Sequence, residues 1–260
     1  MRKERNSISI FLDENIVVSL LANQLEKELY QEENFYGDFK EMFTFDKITY
    51  RDISTIIEKV SKIYGKFIQF YTSLEIINGS VQKIKEKIYE YFRIHNLRRK
   101  EKIDIQKYLK RIIFSKTNQK KLLDKGYIPV KVGDVEINIQ ALELVEEKGI
   151  LYILDLKSKT LEIAKRKKLY EKASIPSIYT DPADKKVLDI AYYGKMDMIL
   201  TADNRIVKNN PKLHYFIPIL KIEELEESIE EIMKKGYRKF KKRFSSKKKW
   251  EQIKGENNDR

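Results

Sequence analysis

A short apolar run that ends at an aspartate is the feature that most limits what this chain can fold into. Residues 7–12 (SISIFL) are rich in side chains that favour β-strands, and Asp13 follows them directly. Apolar residues at helical spacing then occupy residues 15–30, with Ile16 and Leu20 on one face. A strand that turns straight into a helix is how α/β folds begin. The start of the chain therefore predicts a strand–helix unit with a carboxylate at its turn.

After residue 126, stretches typical of strands again alternate with stretches typical of helices. The predicted strands are residues 128–139, 150–156, 198–201 and 215–220. The predicted helices are residues 140–148, 160–172, 183–193 and 223–235. This alternation predicts a three-layer α/β/α sandwich around a central parallel sheet.

The middle of the chain differs in composition from both ends. Residues 31–125 are dense in Lys, Glu, Tyr and Phe and show mostly helical spacing, with residues 65–71 as the best strand candidate. We therefore predict an α/β domain made of residues 1–30 and 126–235. Residues 31–125 are predicted to be a mostly helical insertion or lid, and residues 236–260 a basic, flexible tail.

The charge of the chain favours a polyanionic partner. Its 53 Lys and Arg against 40 Asp and Glu give a formal net charge of +13, and nucleic acid is the commonest partner of such an excess. A protein from a thermophile would show a similar composition. No segment approaches the roughly 18 apolar residues of a spanning helix, so we expect a soluble, cytoplasmic protein with no membrane partner.

The positive charge is concentrated near the C-terminus, where ten of the 16 residues at 234–249 are Lys or Arg and aromatic residues are interleaved. Cations neutralise phosphates, and aromatic rings stack on unpaired bases. The alternative is a solubilising tail whose aromatic residues pack back on the domain. We favour nucleic-acid contact through Tyr237, Arg238, Lys239, Phe240, Lys241, Lys242, Arg243 and Phe244.

Three aspartates are predicted to meet at the carboxyl edge of the sheet. Asp203 follows a predicted strand as Asp13 does, and Asp184 lies in the first turn of a predicted helix. Open parallel sheets bind ligands outside the carboxyl ends of their strands, although each acid alone is equally explained as a helix cap. With no cysteine and two distant histidines, the ligands would be oxygens, which suit Mg²⁺ or Mn²⁺.

A resemblance to PIN-domain nucleases lies in residues 184–206 (DKKVLDIAYYGKMDMILTADNRI). The family pattern is an acid that opens a helix, an alanine in its middle, and an apolar strand that closes on Thr-x-Asp. Asp184, Thr201 and Asp203 occupy those positions here. The N-terminal FLDENI is similar to the family's first strand with its acid, Asp13.

The resemblance implies an endoribonuclease that hydrolyses phosphodiester bonds with a metal-activated water. Its cofactor would be Mg²⁺ or Mn²⁺, and RNA would be favoured over DNA. The resemblance makes Asp13, Asp184 and Asp203 catalytic metal ligands, with Thr201 and Asn204 as accessory polar groups.

A fourth acid completes the family's site and is usually a Glu on the helix after the second strand. Glu143 follows a predicted strand, at a distance before Asp184 that suits the family. Glu75 follows the other candidate strand and is the alternative. We favour Glu143, which makes residues 31–125 a large helical insertion.

Two other classes of function stay open. One is a non-catalytic RNA- or DNA-binding module on a PIN-like fold, in which the acids serve only as helix caps. The other is a toxin-type nuclease that an inhibitory protein partner controls. A homo-oligomer is compatible with either, because no motif indicates the oligomeric state.

Overall fold

Eleven strands and six α-helices have defined bounds in the part of the chain that the computed structural model describes. That part comprises residues 7–29, 38–45, 47–95, 127–140, 142–147, 150–155, 160–163, 187–188, 190–191, 194–204, 206 and 217–245. The strands are β1 (Ile8–Leu12), β2 (Thr44–Phe45), β3 (Ile48–Thr49), β4 (Ile68–Ser73), β5 (Tyr127–Val132), β6 (Val135–Gln140), β7 (Leu142–Glu147), β8 (Ile150–Asp155), β9 (Thr160–Ile163), β10 (Met198–Thr201) and β11 (Ile219–Lys221). The helices are α1 (Glu14–Leu29), α2 (Phe39–Met42), α3 (Tyr50–Tyr64), α4 (Leu74–Ile94), α5 (Leu225–Lys235) and α6 (Tyr237–Ser245).

A mostly parallel sheet forms the centre of the molecule. Its strand order is β11-β10-β1-β4-β6-β5. Each neighbouring pair is parallel apart from the antiparallel hairpin of β5 and β6. Strands of parallel sheets are covered on both faces and therefore read as continuous apolar runs, as in β10, whose four residues are all buried. The predicted α/β fold with a mostly parallel central sheet is confirmed, and the arrangement is compatible with a three-layer sandwich.

The strand β4 corrects the predicted insertion at residues 31–125. It lies between β1 and β6 in the sheet, with Ile8 beside Ile68 and Phe11 beside Tyr71. The strand candidate at residues 65–71 is therefore a core strand, and α3 and α4 on either side of it both pack against α1. Ile68, Phe70 and Thr72 are buried, because alternate residues of the strand point to the same face.

Two predicted helices are strands in the structure. Residues Leu142–Glu147 form β7, which pairs antiparallel with β8, and β8 pairs with β9 in a separate three-stranded sheet. The predicted helix at residues 140–148 is therefore wrong over β7, and the one at residues 160–172 is wrong over β9. Only Lys148 and Gly149 separate β7 from β8, a connection whose length suits a hairpin.

The helix α6 packs on the domain, where the sequence predicted a flexible tail. Tyr237, Phe240 and Phe244 follow helical spacing on one face of it. Phe240 is fully buried, while Tyr237 and Phe244 pack partly buried against the core. The tail prediction is therefore corrected for residues 237–245, and residues 246–260 lie outside the described residues. None of the helices in the described part of the chain is long and apolar enough to span a membrane.

Candidate carboxylate site

Asp13 is held at the point where β1 passes into α1. Its backbone N–H donates to the carbonyl oxygen of Leu200 at 3.0 Å, which joins it to β10. Its own carbonyl oxygen accepts from the N–H groups of Ile16 and Val17, both at 3.1 Å, in the first turn of α1. The residue is only 6% exposed. A strand and a helix together therefore fix the backbone of Asp13 at the carboxyl edge of the sheet.

Both carboxylate oxygens of Asp13 accept a hydrogen bond. The Thr201 hydroxyl donates to Oδ2 at 2.7 Å, and the backbone N–H of Glu14 donates to Oδ1 at 2.6 Å. Burial raises the pKa of the Asp13 carboxyl above its ordinary value, and these two hydrogen bonds only partly oppose that effect. Lys83 also lowers this pKa, but less than the two hydrogen bonds do, and a buried carboxylate without an ion pair is costly to ionise. A cation at this position would remove that cost.

Thr201 connects Asp13 to Asp203. It is the last residue of β10 and is fully buried. Its Oγ1 donates to Asp13 and accepts the backbone N–H of Asp203 at 3.0 Å, so the hydroxyl acts both as donor and as acceptor. Asp203 and the adjacent Asn204 are partly buried. The structure therefore brings Asp13, Thr201 and Asp203 to one edge of the sheet, with Asn204 next to them in the chain.

The two candidate glutamates have different positions in the fold. Glu75 lies in the first turn of α4, which begins directly after β4, the parallel neighbour of β1. Glu143 lies in β7, which follows β6 one strand further from β1 and belongs to the separate sheet. The helix expected around Glu143 is therefore a strand, whereas Glu75 lies on a helix that follows a strand next to β1.

A lysine from α4 also lies beside the start of α1. Lys83 Nζ donates to Asn15 Oδ1 at 2.9 Å and lies 3.5 Å from Glu14 Oε2. None of these three residues was predicted from the sequence to belong to the site. Glu14 and Asn15 are visible in FLDENI next to Asp13, whereas Lys83 reaches them only because α4 packs against α1.

Gly79 lets the Glu14 side chain lie close to α4. A Cβ at Gly79 would lie 2.8 Å from Glu14 Oε1, which is the far end of a flexible side chain. We expect Gly79→Ala to raise the free energy of unfolding by about 0.5–1 kcal/mol, since alanine is favoured over glycine inside helices and Glu14 can move away. Urea denaturation measures this change.

Gly65 provides the control for the Gly79 variant. A Cβ at Gly65 would lie 2.5 Å from the backbone carbonyl oxygen of Ser61, which cannot move independently. Gly65→Ala is therefore expected to lower stability. A loss of stability in Gly79→Ala as well would mean that Glu14 is held rigidly beside Asp13.

Asp184 lies outside the described residues. Beyond it, Val187, Leu188, Ile190 and Ala191 are helical and buried, which agrees with the predicted helix at residues 183–193. Within the described ranges, no group of three or more Asp, Glu, His or Cys side chains could hold a metal ion. The acids at this edge nonetheless offer only oxygen ligands, which fit a hard divalent cation in kind.

The residues predicted to contact nucleic acid differ in how far their side chains are exposed. Arg238, Lys239, Lys241 and Lys242 are exposed on α6. Phe240 is fully buried, so its predicted stacking on bases is wrong. Tyr237 and Phe244 are partly buried against the core, and the Arg243 side chain lies outside the described part.

Comparison with known proteins adds no assignment of family. The resemblance to PIN-domain nucleases therefore rests on the short motifs at residues 184–206 and around Asp13. Function has to be inferred from the arrangement of Asp13, Thr201 and Asp203. No protein-family model, no curated protein and no solved structure matches this chain.

Proposed function

We propose that the protein is a metal-dependent nuclease with a PIN-like fold that hydrolyses phosphodiester bonds, with RNA as the favoured substrate. One observation carries this proposal. The buried carboxylate of Asp13 and the backbone of Asp203 are joined by the same hydroxyl, that of Thr201, at the carboxyl edge of a parallel sheet. Ligand sites of open parallel sheets lie at this edge.

A helix cap alone does not explain this arrangement. A capping aspartate uses one side-chain oxygen to accept the N–H of the second or third helical residue, whereas Asp13 Oδ1 accepts from Glu14, the first residue of α1. Its second oxygen is oriented by Thr201, and no described Lys, Arg or His forms an ion pair with Asp13. Burial of a carboxylate without an ion pair is unfavourable for folding, and such a cost is typical of functional sites.

The residues that would hold Mg²⁺ or Mn²⁺ are Asp13, Asp184, Asp203 and Glu75. A divalent ion bound there would supply an activated water and neutralise charge on the phosphoryl group. The Thr201 hydroxyl orients Asp13, since it donates to Oδ2 from a fully buried position. The partly buried Asp203 lies nearer to solvent, where a substrate can approach, and the net charge of +13 attracts a polyanion.

Metal removal tests the proposed function. The full chain is expected to cleave a fluorescent RNA with Mn²⁺ or Mg²⁺ and to lose all cleavage in EDTA. Mn²⁺ should also raise the Tm, because an ion at 100 times its Kd stabilises a folded protein by about 2.7 kcal/mol. Cleavage that survives EDTA, or a Tm that does not respond to Mn²⁺, would contradict the proposal.

A non-catalytic nucleic-acid-binding module is the second candidate. Two observations favour it: the exposed basic residues of α6, and the lack of a group of three acids within the described ranges. Such a protein would bind RNA with steep salt dependence. It would neither cleave RNA in Mn²⁺ nor gain stability from the ion, so the same two measurements separate the candidates.

A further inference from the structure

We propose that the exposed basic face of α6 is a second nucleic-acid surface, which binds backbone phosphates without base stacking. The face consists of Arg238, Lys239, Lys241 and Lys242, and we call it the α6 face. This inference builds on the proposed function, since it assigns a further contact to the same class of substrate.

The α6 face is held rigidly on the domain. Phe240 is fully buried, and its ring contacts those of Tyr237 and Phe244 at centroid distances of 6.3 Å and 5.1 Å. The Tyr237 hydroxyl also donates to the backbone carbonyl oxygen of Asp197. Because these aromatic rings are committed to the core, contact with a nucleic acid falls to the cations of the helix.

The cations of α6 differ from those of α5. Lys234 and Lys235 form ion pairs with Glu230 and Glu231 one turn earlier, at 3.1 Å and 3.2 Å. In contrast, Tyr237–Ser245 contains no acidic residue. Within the described ranges, Arg238, Lys239 and Lys241 form no ion pair. The charges of these three exposed residues are therefore open to a partner from solution.

The positive charge of α6 is unfavourable for the stability of the helix itself. Arg238 and Lys239 lie in its first turn, where the helix dipole favours acids. Arg238 and Lys242 are like charges at a spacing of four residues, which is unfavourable in a helix. A helix that keeps such charges against its own stability is typical of a surface that binds an anion.

The helix α6 and the carboxylate site contact opposite ends of β10. Tyr237 bonds to Asp197, which directly precedes β10, whereas Thr201 ends that strand and binds Asp13. The length of β10 separates these two points, roughly 13 Å at the usual rise per residue. An RNA that reaches both would be anchored near the start of β10 and cleaved near its end.

An anionic membrane is the less suitable partner. Peripheral helices bind membranes by inserting their apolar face among the lipids. In α6 that face is already buried in the protein, with Phe240 at its centre. A surface of cations without available apolar residues matches the phosphate backbone of a nucleic acid better.

Two double variants of the full chain, each with the same loss of charge, test the proposal. They are Lys239→Gln/Lys241→Gln on the α6 face and Lys234→Gln/Lys235→Gln on α5. The probe is a fluorescein-labelled 30-nucleotide RNA of mixed sequence in EDTA, and anisotropy is measured across a salt series. The α6 variant should bind roughly tenfold more weakly, with a salt slope smaller by about 1.4, as expected for two lost phosphate contacts to a single strand.

The control should keep wild-type affinity and salt slope, and both variants should keep the wild-type Tm. Duplex RNA of the same length should be weakened by the α6 variant as well, because no stacking is involved. Equal weakening by both variants, or no weakening by either, would overturn the proposal. So would phosphatidylserine vesicles that bind as tightly as RNA and respond to the same variant. Because EDTA prevents metal-dependent cleavage, the result stands whether or not the protein is a nuclease.

Discussion

Asp13→Asn is expected to abolish Mn²⁺-dependent cleavage of RNA without destabilising the metal-free protein. The substitution removes the charge that would bind the cation but keeps the shape of the side chain. Loss of an outer-shell partner lowers activity by roughly 10- to 100-fold, so loss of a direct ligand should lower kcat/KM by more than about 100-fold. The asparagine oxygen can accept from the Glu14 N–H as before, while its NH₂ would donate to Thr201 Oγ1, which reverses that bond and turns the hydroxyl hydrogen away.

The stability of Asp13→Asn should depend on pH in a defined direction. Burial raises the pKa of Asp13, so the folded protein holds the proton more tightly than the unfolded chain does. The stability that protonated Asp13 contributes to the wild type is therefore lost as pH rises from about 4, the ordinary pKa of aspartate, through the raised pKa of the folded state. The asparagine variant has no such loss, and its Tm relative to wild type should increase over this range.

The control for Asp13→Asn is Asp134→Asn, an exposed aspartate in the turn between β5 and β6. It should keep wild-type cleavage and the wild-type rise of Tm with Mn²⁺, while Asp13→Asn should lose both. Calorimetry across pH 4–8, with and without Mn²⁺, measures the stability of each. Undiminished cleavage by Asp13→Asn would remove Asp13 from the site.

The local parts of the site could be predicted from sequence. Asp13 and Asp203 each follow a short apolar run, and such runs indicate buried strands without knowledge of their partners. The parallel pairing of β1 with β10 then brings the two acids to one edge. This pairing is the usual consequence of an α/β alternation.

Contacts between distant parts of the chain were not predictable in the same way. The strand β4 lies between charged helices, and its pairing with β1 and β6 shows that it belongs to the sheet. Glu143 fits a helical pattern as well as a strand, and pairing with β8 decides for the strand. Phe240 has the spacing of a stacking residue in a basic tail, but burial against the core competes with that role. Tertiary packing overrides local pattern in each case.

The hydroxyl of Thr201 bonds both to the Asp13 carboxylate and to the backbone N–H of Asp203. The pattern Thr-x-Asp alone does not show the first bond, which depends on the pairing of β1 with β10. We expect Thr201→Val to lower kcat/KM and the affinity for Mn²⁺ by roughly 10- to 100-fold, the usual effect of losing an outer-shell partner. Valine keeps the shape but leaves Asp13 Oδ2 and the Asp203 N–H without their bond. An unsatisfied buried group such as Asp13 Oδ2 costs about 1–3 kcal/mol, so stability should also fall.

Thr201→Ser tests whether the hydroxyl positions Asp13 or whether the Thr201 side chain only packs in the core. Serine keeps the hydroxyl and loses one buried methyl group, worth roughly 0.8 kcal/mol. It should therefore lose some stability but keep the Mn²⁺ affinity and kcat/KM of wild type. Thermal unfolding, Mn²⁺ titration and cleavage kinetics measure the three properties on both variants. If serine and valine lose Mn²⁺ affinity equally, or if valine loses only stability, then Thr201 is a packing residue and does not position Asp13. A selective loss in valine would instead show that one hydroxyl orients the buried carboxylate for the cation.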